Sequence, residues 1–300
     1  MTTVGLPRSL FYYYDEIIWK NFFEYLNVPY ILSPLSNKSI QKKGDLIANS
    51  EMCLAFKNYL GHIDYLKDKC NYILVPRIDN YNINNQTCTN FLAAYDIVNN
   101  LYNIKILNYD IDIQKHKTLK KGLITVAYFL GISKKDAVKA YYYAMHKYKK
   151  YQKNSILQNN KNLNSNKIKI LIVAHPYVIY DEFMGKDILK YLKEENIAII
   201  YSDRFDKKKA LKESEKLASN LYFIYARENV GAVSLSQNKV DGIIFVSSFP
   251  CALDSLANEL LMLKVKIPYI NIVIDDATSF AGIETRLESF IDLLKERKHE

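Results

Sequence analysis

Short runs of β-branched residues that alternate with segments of helical spacing are the feature that most constrains this chain. In the second half the strand-like runs are residues 169–173, 197–201, 242–246 and 269–274. The segments between them carry apolar residues three and four positions apart, which is the spacing of a helix with one buried face. Strands and helices that alternate in this way form a parallel sheet covered by helices. The second half therefore predicts an α/β domain.

The first half has a similar pattern. Its strand candidates are residues 3–6, 29–32, 72–75 and 104–107, and its helix candidates are 10–27, 38–67, 90–101 and one or two helices within 118–150. The fold class that we expect is therefore α/β, with two open Rossmann-like or flavodoxin-like domains. Each domain has a parallel sheet, and a cleft separates the two.

A polar, asparagine-rich stretch lies between the two halves. We interpret residues 154–166 as a linker, because they hold few apolar positions and follow a run of lysines. This places an N-terminal domain at residues 1–153 and a C-terminal domain at residues 167–300. A chain of 300 residues is long enough for two such domains.

Composition excludes several classes of function. The formal net charge is +9, but the lysines are spread along the chain, so a nucleic-acid partner is not predicted. The tyrosine runs Tyr12–Tyr14 and Tyr141–Tyr143 point around a helix and do not form a base-stacking row. No run of eighteen apolar residues and no signal-peptide pattern is present, so we expect a cytoplasmic protein without a membrane partner.

Four predicted strands end at a proline, namely Pro7, Pro76, Pro176 and Pro250. Proline cannot donate to a sheet ladder, so it marks the end of a strand. In open parallel sheets ligands bind outside the carboxyl ends of the strands. The candidate catalytic residues Arg8, Arg77 and His175 lie at these ends.

These three residues have structural alternatives. Arg8 and Arg77 could bind phosphate or carboxylate groups, or could pair with Glu51, Asp275 or Asp276. His175 could donate or accept a proton in the crevice, or could fix the turn before Pro176 by bonding to its own loop.

Three of the four cysteines share one predicted setting. Cys251 and Cys88 directly precede predicted helices, and Cys53 lies at a break before helical sequence. A helix N-terminus favours a thiolate over a thiol. Cys70 instead precedes a strand and is interpreted as a small, partly buried thiol. The spacing alone leaves open that the other three are also buried small side chains.

Motifs along nearly the whole chain carry a family resemblance. They are Gly5-Leu6-Pro7-Arg8, Glu51-Met52-Cys53-Leu54, Val75-Pro76-Arg77 with Cys88, His175-Pro176-Tyr177, Cys251 with Asp254-Ser255, and the segment 282–292. With these motifs the chain resembles the iron-sulfur proteins of the 2-hydroxyacyl-CoA dehydratase family. The similarity is greatest to the branch related to the dehydratase activators.

The resemblance implies that Cys53, Cys88 and Cys251 bind an iron-sulfur cluster between the domains, either a 4Fe-4S or a double-cubane cluster. It implies low-potential electron transfer or reductive dehydration of a CoA thioester. The implied partners are an ATP-dependent activator protein, a second dehydratase-like subunit and an acyl-CoA, and the implied assembly is a dimer. The sequence lacks a P-loop, so the chain is not expected to be the ATP-hydrolysing activator.

Three alternatives remain open at this stage. The chain could be a non-catalytic subunit that carries a cluster, since a short chain can need a partner to complete an active site. It could also be a cluster-free protein with two lobes that close over a small ligand. A more remote alternative is a cysteine hydrolase that uses Cys251 and His175.

Overall fold

A computed structural model describes residues 2–82, 85–276 and 279–299 of the chain. It divides into two compact units, Met1–Gln152 and Lys153–Glu300, which we call unit 1 and unit 2. No helix in these residue ranges is both long enough and apolar enough to cross a membrane.

Unit 1 is built on a parallel sheet. Its strands are β1 (Val4–Leu6), β2 (Tyr30–Leu32), β3 (Tyr72–Leu74), β4 (Arg77–Asn80), β5 (Ile106–Leu107) and β6 (Asp110–Asp112). Its helices are α1 (Tyr12–Tyr25), α2 (Lys38–Ile47), α3 (Leu54–Leu66), α4 (Thr89–Leu101) and α5 (Leu119–Phe129), and α6 (Lys134–Leu163) follows. The main sheet has the order β2-β1-β3-β5, and β4 pairs with β6 beyond it.

Unit 2 repeats this architecture. Its strands are β7 (Lys169–Val173), β8 (Ala198–Tyr201), β9 (Gly242–Ser248) and β10 (Tyr269–Ile274). Its helices are α7 (Pro176–Ile179), α8 (Lys186–Glu194), α9 (Lys207–Ser214), α10 (Ile224–Ser236), α11 (Ala252–Met262) and α12 (Phe280–His299). The sheet order is β10-β9-β7-β8, and every pair of neighbouring strands is parallel.

The two main sheets have the same strand order when each is numbered within its own unit. The first strand lies between the second and the third, and the fourth is at the far edge. All strand pairs in both sheets are parallel. The prediction of an α/β fold with two parallel sheets is therefore confirmed.

The sequence explains why the central strands of unit 2 are buried. β9 is buried along its whole length, as is β7 after its first residue. Helices cover both faces of a parallel sheet, so its strands carry continuous apolar runs and do not alternate between apolar and polar residues.

Helix α6 extends through most of the stretch that the sequence analysis interprets as a linker, and it ends at Leu163. Lysine, glutamine and leucine favour a helix, and asparagine opposes it only weakly.

A buried hydrogen-bonded group joins α1 to Tyr109, the residue before β6 of unit 1. The Trp19 Nε1 donates to Tyr109 Oη over 2.9 Å, and that hydroxyl donates to Asp15 Oδ2 over 3.2 Å. All three side chains are buried. The hydroxyl of Tyr109 therefore provides a hydrogen-bond partner both for the buried N–H of Trp19 and for the buried carboxylate of Asp15.

Removal of this hydroxyl is expected to destabilise the protein. The Tyr109→Phe variant leaves the Trp19 N–H without its acceptor, which costs about 1–3 kcal/mol in the free energy of unfolding. Urea unfolding followed by tryptophan fluorescence measures the change. Tyr128→Phe is the control, because Tyr128 is 75% exposed. Equal stability of the two variants would contradict this role for Tyr109.

Candidate functional site

The carboxyl ends of the central strands define one candidate region in each unit. β1 lies beside β3 in unit 1, and β7 lies beside β9 in unit 2. At these pairs the connections leave the sheet in opposite directions, which opens a crevice beyond the strand ends. The predicted proline positions are confirmed, because each of the four strands ends one to three residues before its proline.

Cys53 and Cys88 begin two helices of unit 1. Cys53 is the N-cap of α3, and Cys88 is the N-cap of α4. Asn90, in the first turn of α4, donates from Nδ2 to the Sγ of Cys53 over 3.5 Å. The sulfur of Cys53 therefore lies next to the helix turn that Cys88 starts.

The electrostatic setting of these two cysteines favours thiolates. Neither side chain caps the backbone amides of its own helix. Four backbone N–H groups at a helix start lack partners within the helix, and the helix dipole attracts negative charge. The Asn90 amide adds a donor toward the Cys53 sulfur. Two thiolates with such donors are suited to bind a soft metal ion or an iron-sulfur cluster.

Cys70 has a different environment, as the sequence predicted. Its Sγ donates to the carbonyl oxygen of Leu66 over 3.3 Å. A Cβ atom built on Gly5 would lie only 2.6 Å from the same sulfur, so the thiol packs directly against β1. Burial raises the pKa of Cys70. Cys70 is a packing residue and provides an internal control for the other cysteines.

Cys251 begins α11 in unit 2, and Asp254 lies in the first turn of that helix. The Oδ1 of Asp254 is 2.7 Å from Nε2 of His175, which follows β7. Both side chains are buried. The pair therefore links the ends of the two central strands of the sheet, β7 and β9, on the side where Cys251 lies.

Aromatic rings fix the orientation of His175. The imidazole stacks on Tyr177, with ring centres 4.9 Å apart and planes inclined by 16°. Tyr225 meets it edge-on at 6.1 Å. A histidine that shares a short contact with a carboxylate and is held between rings can transfer a proton without moving. The partner is on another element, whereas the structural alternative from the sequence was a bond within the histidine's own loop.

The two arginines of the sequence analysis have separate environments. Arg77 opens β4, forms an ion pair with Asp96 and lies 5.0 Å from the ring centre of Tyr95. The backbone N–H of Arg8 donates to Ser33 Oγ over 2.7 Å. In the part of the chain that the structure describes, the buried Nε of Arg8 has no hydrogen-bond partner. Asp96 is therefore an acidic partner of Arg77 that the sequence analysis did not consider.

His62 is a polar residue in the core of unit 1. It lies within α3 and is completely buried. Its Nε2 is 3.0 Å from Ser36 Oγ. Burial, together with the charge of Arg8, lowers the pKa of His62 to about 3. The position of His62 inside α3 places its ring in the core, where burial favours the neutral form.

The burial of His62 predicts a pH dependence of stability. The unfolded chain binds a proton at His62 near pH 6.5, whereas the folded protein does so only near pH 3. Stability is therefore complete above pH 6.5 and falls as the pH decreases between these values, by up to about 1.4 kcal/mol per pH unit. Urea unfolding of His62→Gln should show a weaker dependence from pH 7 to pH 5. An unchanged slope would contradict this assignment.

A complete metal site is not visible within the ranges 2–82, 85–276 and 279–299, where no three His, Cys, Asp or Glu side chains are grouped as ligands. Cys53 and Cys88 are the residue type that holds iron-sulfur clusters, and the sulfur of Cys53 lies beside the helix turn that Cys88 begins. The hydrogen bond from Asn90 to the Cys53 sulfur suits such a ligand, because hydrogen bonds to the sulfurs set the reduction potential of these clusters.

The sequence identifies the cysteines as candidate ligands. It does not identify Asn90, and it gives no role to Asp254.

Comparison with known proteins places the chain in a family. The model of the CoA enzyme activase uncharacterised domain matches residues 3–205. This match supports the activase-related branch of the resemblance. It does not extend to the dehydratase subunits specifically. No curated protein matches the chain.

Three solved structures are similar at low identity. A Zn(II)-bound mutant variant of AdcAII from Streptococcus pneumoniae has 11% identity, covers 99% of this chain and 98% of its own, and gives a TM-score of 0.32. ZnuA has 10% identity, covers 98% of both chains and gives a TM-score of 0.28. A sugar transporter from Clostridium phytofermentans has 12% identity, covers 98% of this chain and 93% of its own, and gives a TM-score of 0.19.

Proposed function

Because the chain belongs to the family of the CoA enzyme activase uncharacterised domain, we propose that it is an iron-sulfur redox component serving an enzyme that acts on CoA thioesters. In this proposal the chain stores a low-potential electron and passes it to a partner enzyme, which carries out a reductive dehydration. The observation that carries the proposal is the contact between Asn90 and the Cys53 sulfur beside the helix that Cys88 begins.

The proposed ligands are Cys53 and Cys88 of unit 1 and Cys251 of unit 2. Each is the N-cap of a helix of at least eleven residues, so each sulfur is near unpaired backbone amides. The amides and the Asn90 side chain stabilise negative charge on sulfur, and hydrogen bonds of this kind raise the reduction potential of a cluster. When bound, the cluster supplies one-electron chemistry.

Two of the chain's own polar residues, His175 and Asp254, support the position of Cys251. The contact between His175 and Asp254 keeps the first turn of α11 fixed to the end of β7. It thereby holds the backbone of Cys251, three residues before Asp254.

Anaerobic reconstitution tests this proposal. The purified full-length protein is incubated with ferrous iron and sulfide, desalted, and titrated with a low-potential reductant under electron paramagnetic resonance detection. We expect a stable brown protein with a reversible one-electron signal at a negative potential. We also expect no turnover of a 2-hydroxyacyl-CoA by the protein alone. A colourless product without the signal would contradict the redox role, and turnover by the isolated chain would contradict the accessory role.

A further inference from the structure

A surface groove in unit 2 lies between the start of β10 and helix α12. It has a volume of about 730 Å³, which is within the range of about 300–1,000 Å³ for small-molecule sites. We call it the β10–α12 groove. The lining residues that matter for its chemistry are Lys266, Ile267, Tyr269, Arg286, Leu293 and Arg297.

One face of α12 forms a wall of this groove. Arg286, Ser289, Leu293 and Arg297 follow one another at spacings of three and four residues, so they lie along one side of the helix. The two arginines are at the ends of this stripe, with an apolar side chain between them. This side of α12 therefore has an apolar centre and a positively charged arginine at each end.

The acidic residues of α12 face another direction. Burial and the charge of Glu195 raise the pKa of Tyr191 in α8, and the negative charges of Glu288, Glu284 and Asp292 add to this rise. The residues that line the β10–α12 groove include three cations and, in the part of the chain that the structure describes, no carboxylate. The groove side of α12 thus carries positive charge that no carboxylate among the described lining residues neutralises.

The groove is separate from the cysteine region of its own unit. Tyr269 is the first residue of β10, and it pairs with Ile243 near the start of β9. Cys251 follows the opposite, carboxyl end of β9. The groove and Cys251 therefore lie at opposite ends of one sheet, so a ligand in the groove does not occupy the proposed redox site.

We infer that the β10–α12 groove binds an organic anion with an apolar body, such as a medium-chain carboxylate. Arginine presents a planar set of donors that matches a carboxylate. Ile267, Leu293 and Phe290 supply apolar contacts for the remainder of the ligand. Arg297 is the principal anion contact, because Arg286 already donates to the carbonyl oxygen of Asn271 over 2.6 Å.

Binding of the fluorescent anion 8-anilinonaphthalene-1-sulfonate to the full-length protein tests this inference. Arg297→Gln removes one charged contact and should weaken binding by about tenfold. Leu293→Asp places a negative charge in the apolar centre and should abolish saturable binding. Lys295→Gln is the control, because Lys295 is on the same helix but pairs with Glu195 and Asp292 on the other side. This control should change the dissociation constant less than twofold.

Competition identifies the ligand class. Decanoate should displace the probe, whereas acetate, decanol and decyltrimethylammonium should not do so at equal concentration. Displacement by the alcohol or the cation as effective as that by decanoate would overturn the inference, as would binding that is insensitive to both groove variants. The measurement uses protein without added iron, so its result is independent of the redox proposal.

Discussion

Cys53→Ser and Cys88→Ser are each expected to lose most of the iron that the reconstituted protein retains. A thiolate ligand contributes more to metal binding than the neighbours that orient it, whose loss typically costs 10- to 100-fold in affinity. We therefore expect at least about a tenfold decrease in retained iron after desalting against a chelator. Iron and acid-labile sulfide are measured per protein chain. Cys251→Ser is expected to show the same loss.

Two control variants separate ligation from general damage to the fold. Cys70→Ser alters a thiol that packs between the Leu66 carbonyl and β1, so it should keep its iron. Asn90→Ala removes the donor to the Cys53 sulfur and should give an intermediate effect, with the reduction potential shifted to a more negative value. Full retention of iron by Cys53→Ser or Cys88→Ser would remove that residue from the proposed ligands.

The second large effect is expected at the contact between α2 and α3. A Cβ atom added to Gly44 would lie 1.9 Å from the carbonyl oxygen of Lys57, and one added to Gly61 would lie 2.1 Å from that of Ile40. Two helices therefore touch through their backbones at these glycines. Gly44→Ala must separate α2 from α3, which costs about 3 kcal/mol or more of the free energy of unfolding.

Gly282→Ala is the matched control for this experiment. Gly282 is also within a helix, but among the described residues no atom outside its own helix backbone lies within 4 Å of the position that its Cβ would take. Alanine there should stabilise the protein by about 0.5–1 kcal/mol, because it loses less backbone entropy than glycine. Urea unfolding of both variants measures the difference. A Gly44→Ala protein as stable as the wild type would show that α2 and α3 can move apart without cost.

The alternation of strands and helices was sufficient to predict the fold class and most strand positions. Predicted strands such as residues 169–173 and 269–274 agree with β7 and β10 in both bounds. This agreement has a physical cause, because a buried parallel strand needs a continuous apolar run and proline ends its ladder. The placement of Cys88 and Cys251 at helix starts is also confirmed, since N-terminal signals are local in the sequence.

The remaining features depend on contacts that local sequence does not encode. β4 and β6 are short and polar, and they form only because each pairs with the other. His62 and Asp254 gain their roles from partners 26 and 79 residues away, Ser36 and His175. Nothing in the local sequence distinguishes Asn90 from other residues in the first turn of a helix, because its partner Cys53 is 37 residues away. Such long-range pairs require the three-dimensional structure.

The central claim is that the sulfurs of Cys53 and Cys88 bind the same iron centre. Anomalous diffraction at the iron absorption edge, from anaerobically grown crystals of the reconstituted protein, tests this claim most directly. The account predicts the iron density of one cluster close to the Asn90 amide, with an iron atom within bonding distance of the Cys53 sulfur and another within bonding distance of the Cys88 sulfur. Iron bound elsewhere, with these two sulfurs unliganded, would contradict it.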